Sequence, residues 1–122
     1  MVGEALCAQK ILLSKNIKAR LINNPFVNHP NVEIIAKALG ECKNRLLTVE
    51  DHQVIAGMGS ILSHALLMSD KSLPFKLVSL GVRGHFGRSA YTANELYKWA
   101  NIGSEAIAAA AECFINSTTE AV

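Results

Sequence analysis

The sequence predicts an α/β fold of three layers, α/β/α, with helices on both faces of a small mixed or mostly parallel sheet. Two observations carry that expectation. Apolar strand-like runs alternate along the chain with segments whose apolar residues recur at helical spacing. The clearest run, Leu46-Leu47-Thr48-Val49, ends in Glu50-Asp51-His52 and passes through a short loop to Gly57-Met58-Gly59-Ser60 and the helical pattern Ile61, Leu62, Ala65, Leu66. Binding groups in open α/β sheets gather at the carboxyl ends of strands, which makes this strand end the first place to look for function.

Taken in order, residues 3–14 place Ala5, Ala8, Ile11 and Leu12 on one face and predict a helix. Ile17 to Ile22 reads as a short strand stopped by Asn23-Asn24-Pro25, because proline cannot continue a central ladder. After the loop Phe26-Val27-Asn28-His29-Pro30, Asn31 caps a helix through Leu39 that Gly40 terminates. Arg45 to Val49 is the second strand, and Gly59 to Met68 is its following helix. Ser69-Asp70-Lys71-Ser72 turns the chain into a strand from Phe75 to Leu80, begun by Pro74. Gly81 to Tyr91 has no periodicity and holds three glycines, Arg83, His85 and Arg88. Thr92-Ala93-Asn94-Glu95 matches a capping box and starts a short helix ending near Asn101. Ser104 caps a last helix, Glu105 to Asn116, with Ile107, Ala110, Ala111 and Phe114 on one face, and residues 116–122 are expected to fray.

At 122 residues the chain fits a single domain, residues 1–122, able to bury a core. Half of its residues are apolar and 18% are charged, which argues against disorder. A net charge of +2 is too small to imply nucleic acid, and no apolar run approaches the roughly 20 residues that span a bilayer. Cys7, Cys42 and Cys113 are odd in number and widely spaced, which excludes a disulfide framework and a zinc knuckle. They fit a reducing cytoplasm, each as a small, partly buried hydrophobe.

The candidate site residues carry competing readings. On an extended strand, Glu50 and His52 share a side that Asp51 does not, a spacing open to acid/base chemistry or metal ligation. No further ligand spacing lies nearby. The preferred reading is a polar strand end that orders the next loop and packs against a partner. Gly57 and Gly59 at a helix start resemble an anion cradle. The third glycine of a dinucleotide loop is replaced by Leu62, the phosphate-loop lysine is absent, and close helix–strand packing explains both glycines as well or better. Arg83, His85 and Arg88 suit a phosphate or carboxylate, or equally salt links across a subunit interface. His29 and His64 read as a loop residue and a packed or solvated helix residue.

At Thr48-Val49-Glu50-Asp51-His52 followed by Gly57-x-Gly59, and again at Leu80-Gly81-Val82, Phe86-Gly87-x-Ser89 and Glu95-Leu96, the chain resembles the C-terminal domain of transketolase over nearly its whole length. It is more loosely similar to the matching domains of 1-deoxyxylulose-5-phosphate synthase and of 2-oxo-acid dehydrogenase beta subunits. The resemblance implies a parent enzyme of the pentose phosphate pathway that uses thiamine diphosphate and magnesium to move a two-carbon ketol unit between sugar phosphates. Such enzymes are dimers whose cofactor lies between the first two domains of opposite subunits. No catalytic, cofactor-binding or metal residue of the family therefore maps onto this chain. Its role by resemblance is assembly and dimer support, with thiamine-binding domains or a thiamine-binding subunit as partner, in a homo- or hetero-oligomer in the cytoplasm. Glu50, Asp51, His52, Gly57, Gly59, Arg83, His85 and Arg88 are then possible anion or interface contacts. The family has a glycine pair where this chain has Ala56-Gly57, and a strand before the first helix where this chain has Met1-Val2-Gly3, so the chain reads as N-terminally truncated or as one piece of a split enzyme. The alternatives from the residues themselves are a stand-alone anion- or sugar-phosphate-binding regulatory module and, more remotely, a hydrolase using His52 with Glu50.

Overall fold

The computed structural model describes residues 1–71 and 74–117. Seven elements follow in order: α1 (Val2–Ser14), α2 (Val32–Glu41), β1 (Arg45–Gln53), α3 (Met58–Met68), β2 (Lys76–Val82), α4 (Ala93–Trp99) and α5 (Ser104–Asn116). Among the described residues, none of these helices is long and apolar enough to cross a membrane. The expected turn residue Ser72 and the expected frayed stretch 118–122 lie outside the described residues.

β1 and β2 form a parallel pair, with α3 as the crossover between them. Alternation along β1 then divides the core. Leu47 and Val49, with Leu80 of β2, face Ala8 and Leu12 of α1 and Ile107 and Ala108 of α5. Leu46 faces the other way, onto Ile35, Ala36 and Leu39 of α2 and Leu62 and Leu66 of α3. The expected three layers are present: α1 and α5, the sheet, then α2 and α3. Burying each face of a parallel pair under helices is what its apolar residues on both sides demand.

The sheet is smaller than expected. Ile17 to Ile22 joins no ladder, so two strands rather than three are found among the described residues. That segment is tied instead to α1, by the Ile17 N–H donating to the Leu12 carbonyl at 2.9 Å and by Gln9 Nε2 donating to the Ala19 carbonyl at 2.8 Å. A groove of about 700 Å³ is lined by residues 17–24 on one side and β1 on the other, which leaves the segment without a ladder partner in reach.

Several local expectations change for identifiable reasons. α2 starts as expected, with Asn31 Oδ1 accepting from the Ile34 N–H at 3.1 Å, but it runs through Gly40 to Glu41. The left-handed turn after it is made by Lys43 and Asn44, at φ of 54° and 56°. β1 continues four residues past Val49, carrying the polar triplet inside the strand. Cys7 and Cys113 are exposed rather than partly buried, and only Cys42 is half-buried. Thr92 Oγ1 accepts from the Glu95 N–H as a capping box requires, while the Glu95 carboxylate turns back to the Tyr91 N–H.

Ser104 does not cap α5; it is the helix's first residue, behind a Gly103 that has no side chain to offer. The cap comes from α1, where Glu4 Oε2 accepts from the Ser104 N–H at 2.8 Å across 100 residues of sequence. A carboxylate there satisfies an orphan donor and meets the positive end of the helix dipole. Glu4→Ala is therefore expected to lower stability by about 1 kcal/mol in chemical unfolding, with Glu4→Gln recovering part of it through its amide oxygen.

Candidate functional site

The polar triplet sits where the β1–β2 register breaks. Pairing is regular from Arg45 opposite Lys76 to Val49 opposite Leu80, and resumes with Gln53 opposite Val82. Four steps along β1 thus match two along β2, so Glu50, Asp51 and His52 occupy a bulge. Bulges re-aim side chains at strand ends. This one turns Glu50 inward and leaves Asp51 exposed.

Glu50 is 2% exposed and is the centre of the site. Its Oε1 accepts from the Gly59 N–H at 3.1 Å, in the first turn of α3. Its Oε2 lies 2.8 Å from His52 Nε2, on the shared side that strand alternation predicts. The contact lacks hydrogen-bond geometry, and Oε2 is buried without a hydrogen-bond partner among the described residues. His52 Nε2 accepts from the Met58 N–H at 3.4 Å, in the first turn of α3. Asp51 Oδ1 is 3.7 Å from His52 Nδ1, outside hydrogen-bond range.

Three glycines make room for that carboxylate. A Cβ on Gly57 would run into Glu50 Oε2 and the Gln53 carbonyl. One on Gly59 would lie 2.6 Å from Thr48 Oγ1 and 2.7 Å from Ser79 Oγ, a pair that is itself hydrogen-bonded at 2.9 Å. One on Gly81 would lie 2.9 Å from the His52 carbonyl and 3.0 Å from Glu50 Cγ. The glycines at 57 and 59 thus serve the close packing weighed in the sequence. The donor at Gly59, the heart of the supposed anion cradle, is given to the protein's own carboxylate.

Gln53, which the sequence did not single out, joins this cluster to the loop after β2. Its Oε1 accepts from the Gly84 N–H at 2.9 Å and its Nε2 donates to the His85 carbonyl at 2.8 Å. Arg83 Nη2 donates to the Ser79 carbonyl at 2.8 Å. His85 meets the Trp99 ring edge-on at 5.8 Å between centroids, and the Arg88 guanidinium lies 5.8 Å from the same ring centre. The structure therefore gathers Glu50, His52, Gly57 and Gly59 in one cluster and His85 and Arg88 around Trp99, with Gln53 as the link. A polar residue closing a strand is a weak signal that did not distinguish Gln53 beforehand.

The residues present do not fit a thiamine diphosphate–magnesium group. A diphosphate at the start of α3 would face the buried Glu50 carboxylate, and no three potential metal ligands converge among the described residues.

Residues 1–107 match the family described as "Transketolase, C-terminal domain". The chain belongs to the transketolase C-terminal domain family. This transketolase C-terminal domain is 35% identical over 107 residues to the putative transketolase C-terminal section of Methanocaldococcus jannaschii, covering 88% of this chain and 32% of that protein. It is 31% identical over 108 residues to the 1-deoxy-D-xylulose-5-phosphate synthase of Clostridium tetani, covering 88% of this chain and 17% of that enzyme. The chain thus spans a third or less of these relatives. Among solved structures it resembles a chain described as "Split gene transketolase, inactive beta4 tetramer", with a TM-score of 0.80, 24% identity, and coverage of 93% of this chain and 36% of that one. That likeness places the fold.

One backbone detail concerns the residue before Gly57, where the sequence resemblance leads one to expect a glycine. Ala56 has φ of 59°, the left-handed region in which a Cβ is penalised. Ala56→Gly should stabilise the domain by about 1 kcal/mol, read as a raised melting temperature. Gly59→Ala should do the reverse, by about 1–3 kcal/mol, because Thr48 and Ser79 must move from its Cβ.

Proposed function

We propose that this chain is the assembly and dimer-support part of a transketolase-like enzyme, working only in company with thiamine-binding domains. The parent reaction is two-carbon ketol transfer between sugar phosphates, with thiamine diphosphate and magnesium held by those other domains. The observation that carries the assembly reading is the loop after β2. Gln53, Arg83 and Trp99 hold its base, yet Phe86 and Tyr91 are 97% and 101% exposed. Aromatic area of that kind is covered in a finished assembly. The related split-gene chain, described as inactive as a beta4 tetramer, supports the same expectation here: self-association without turnover.

Within this reading Glu50 and His52 position the start of α3, Gln53 holds the loop after β2, and none of the three takes part in bond making. Asp51 and the exposed side of His52 are available to face a neighbouring domain. The alternative, an anion- or sugar-phosphate-binding module using Gly57, Gly59, Arg83 and Arg88, has less to work with. The Gly59 N–H is engaged by Glu50, Arg83 reaches its own strand, and Arg88 lies over Trp99.

Assay of the isolated chain with thiamine diphosphate and magnesium is expected to show no ketol transfer, and turnover would overthrow the reading. Calorimetric titration with phosphate, sugar phosphates and nucleotides is expected to give no heat; saturable binding lost in Arg83→Ala would favour the regulatory module. His52→Ala is expected to lower stability by about 1 kcal/mol, since it removes the acceptor of the Met58 N–H and the ring beside Glu50 Oε2. Specific activity of the reconstituted enzyme should be unchanged, and a loss of turnover without loss of assembly would assign His52 a catalytic role.

A further inference from the structure

We propose that the loop between β2 and α4, residues 83–91, docks an acidic polypeptide segment, with the Arg88 guanidinium, set against Trp99, taking one of its carboxylates. The proposal deepens the assembly reading and rests on it, by naming the chemistry of the partner's contacting face.

Charge is segregated along this part of the chain. From Lys71 to Asn94 there is no acidic residue, while Lys71, Lys76, Arg83 and Arg88 are basic. Residues 83–91 are all exposed. The first acid after them, Glu95, is already engaged, its Oε2 accepting from the Tyr91 N–H at 3.2 Å. Among the described residues Arg88 has no ion-pair partner. The loop thus presents cationic surface that its own chain does not neutralise.

Arg88 is nonetheless held in place. Its guanidinium carbon lies over the Trp99 ring, 5.8 Å from the centre, and His85 meets the same ring edge-on. A cation–π contact consumes no N–H donor, so the guanidinium fork stays available for a carboxylate, which it binds bidentately. Phe86 and Tyr91 bracket Arg88 in sequence with their rings in solvent. Arginine, tyrosine and tryptophan are the residue types that carry most of the binding energy at interface centres.

The same geometry decides between anions. Arg83 is turned back to the Ser79 carbonyl and Arg88 is set against Trp99, so different anchors hold the two cations. A single phosphate needs donors that converge on it. Cations spaced between exposed aromatic rings instead suit a polypeptide that alternates carboxylates with apolar side chains. Nucleic acid and anionic membranes are drawn by the field of a whole basic face, and a net charge of +2 does not supply one.

The probe is a short blocked peptide of alternating glutamate and leucine, titrated into the chain at low salt. Binding is followed by calorimetry and by the fluorescence of Trp99, the chain's one tryptophan. A saturable change at Trp99 is expected, weakened several-fold at about 0.15 M salt by screening. Arg88→Lys should weaken binding by about tenfold, because lysine has neither the fork nor the planar contact with the ring. Arg88→Glu should abolish it and transfer the preference to a peptide with lysine in place of glutamate. Phe86→Ala and Tyr91→Ala should each weaken binding several-fold with unchanged unfolding midpoints, since both side chains are exposed. Equal binding of a peptide with glutamine for glutamate, equal binding by Arg88→Glu, or no binding at millimolar peptide would each overturn the proposal. Heat of binding that is silent at Trp99 would place the contact elsewhere and overturn it too. So would tighter binding of oligothymidylate or of phosphatidylserine vesicles, which would give the loop to nucleic acid or to a membrane surface. Assembly with a thiamine-binding chain that is indifferent to Arg88→Glu would sink the acidic contact and leave the assembly reading standing. Peptide binding as expected, with no such assembly forming, would sink only the assembly reading.

Discussion

A carboxylate buried among three glycines is costly, and the centre of this domain is arranged to meet that cost. Removing a charged Glu50 from water carries a penalty of several kcal/mol even after relaxation. Hydrogen bonds to a charged group return about 1.5–3 kcal/mol each. Glu50 has one such bond, from the Gly59 N–H at 3.1 Å, where the dipole of α3 adds to it, while its Oε2 lies 2.8 Å from His52 Nε2 without a hydrogen bond. That bond offsets part of the burial. The rest of the local structure follows from keeping it. The bulge in β1 turns Glu50 inward, Gly57 and Gly59 let α3 approach it, and Gly81 lets β2 pass beneath.

The same device recurs at the other end of the molecule. α3 and α5 both begin behind glycines, Gly57 and Gly103, that offer no capping side chain. Each receives its cap from a glutamate on another element, nine and 100 residues earlier in the chain. A local cap such as Asn31 stabilises its own helix whatever the tertiary structure. A distant carboxylate does so only when the elements have docked, so these two helix starts report correct packing of β1 on α3 and of α1 on α5. Local helix formation is thereby coupled to the global fold.

This coupling also explains what could be read from the sequence. The helices were legible because a 3.6-residue apolar period is a local property, and the β1–α3–β2 order because each apolar run is bounded by turn residues. That Glu50 and His52 share a side followed from strand alternation. The last four residues of β1 were not legible, since a register shift exists only relative to β2. Ile17 to Ile22 has the composition of a strand but not the partner that makes one, and strand identity belongs to the pair rather than to the segment. The caps from Glu4 and Glu50 left no local trace, so Ser104, the one visible candidate at α5, was the natural wrong choice.

The stretch that looked most like an active site thus acts through another segment. Glu50 spends its charge on α3, and Gln53, three residues on, spends both ends of its amide on Gly84 and His85. Gly84 takes the left-handed conformation, φ 67°, that the turn requires, and His85 and Arg88 settle against Trp99. The loop is therefore held at its base and at Trp99 while Phe86 and Tyr91 stay in solvent. A loop ordered before its partner arrives avoids much of the entropy that docking otherwise costs, about 0.5–1.5 kcal/mol for each side chain left to be immobilised. In the proposed assembly the polar strand end would contribute in that way: Gln53 would keep the loop in place, and the exposed aromatic side chains on it would make the contact.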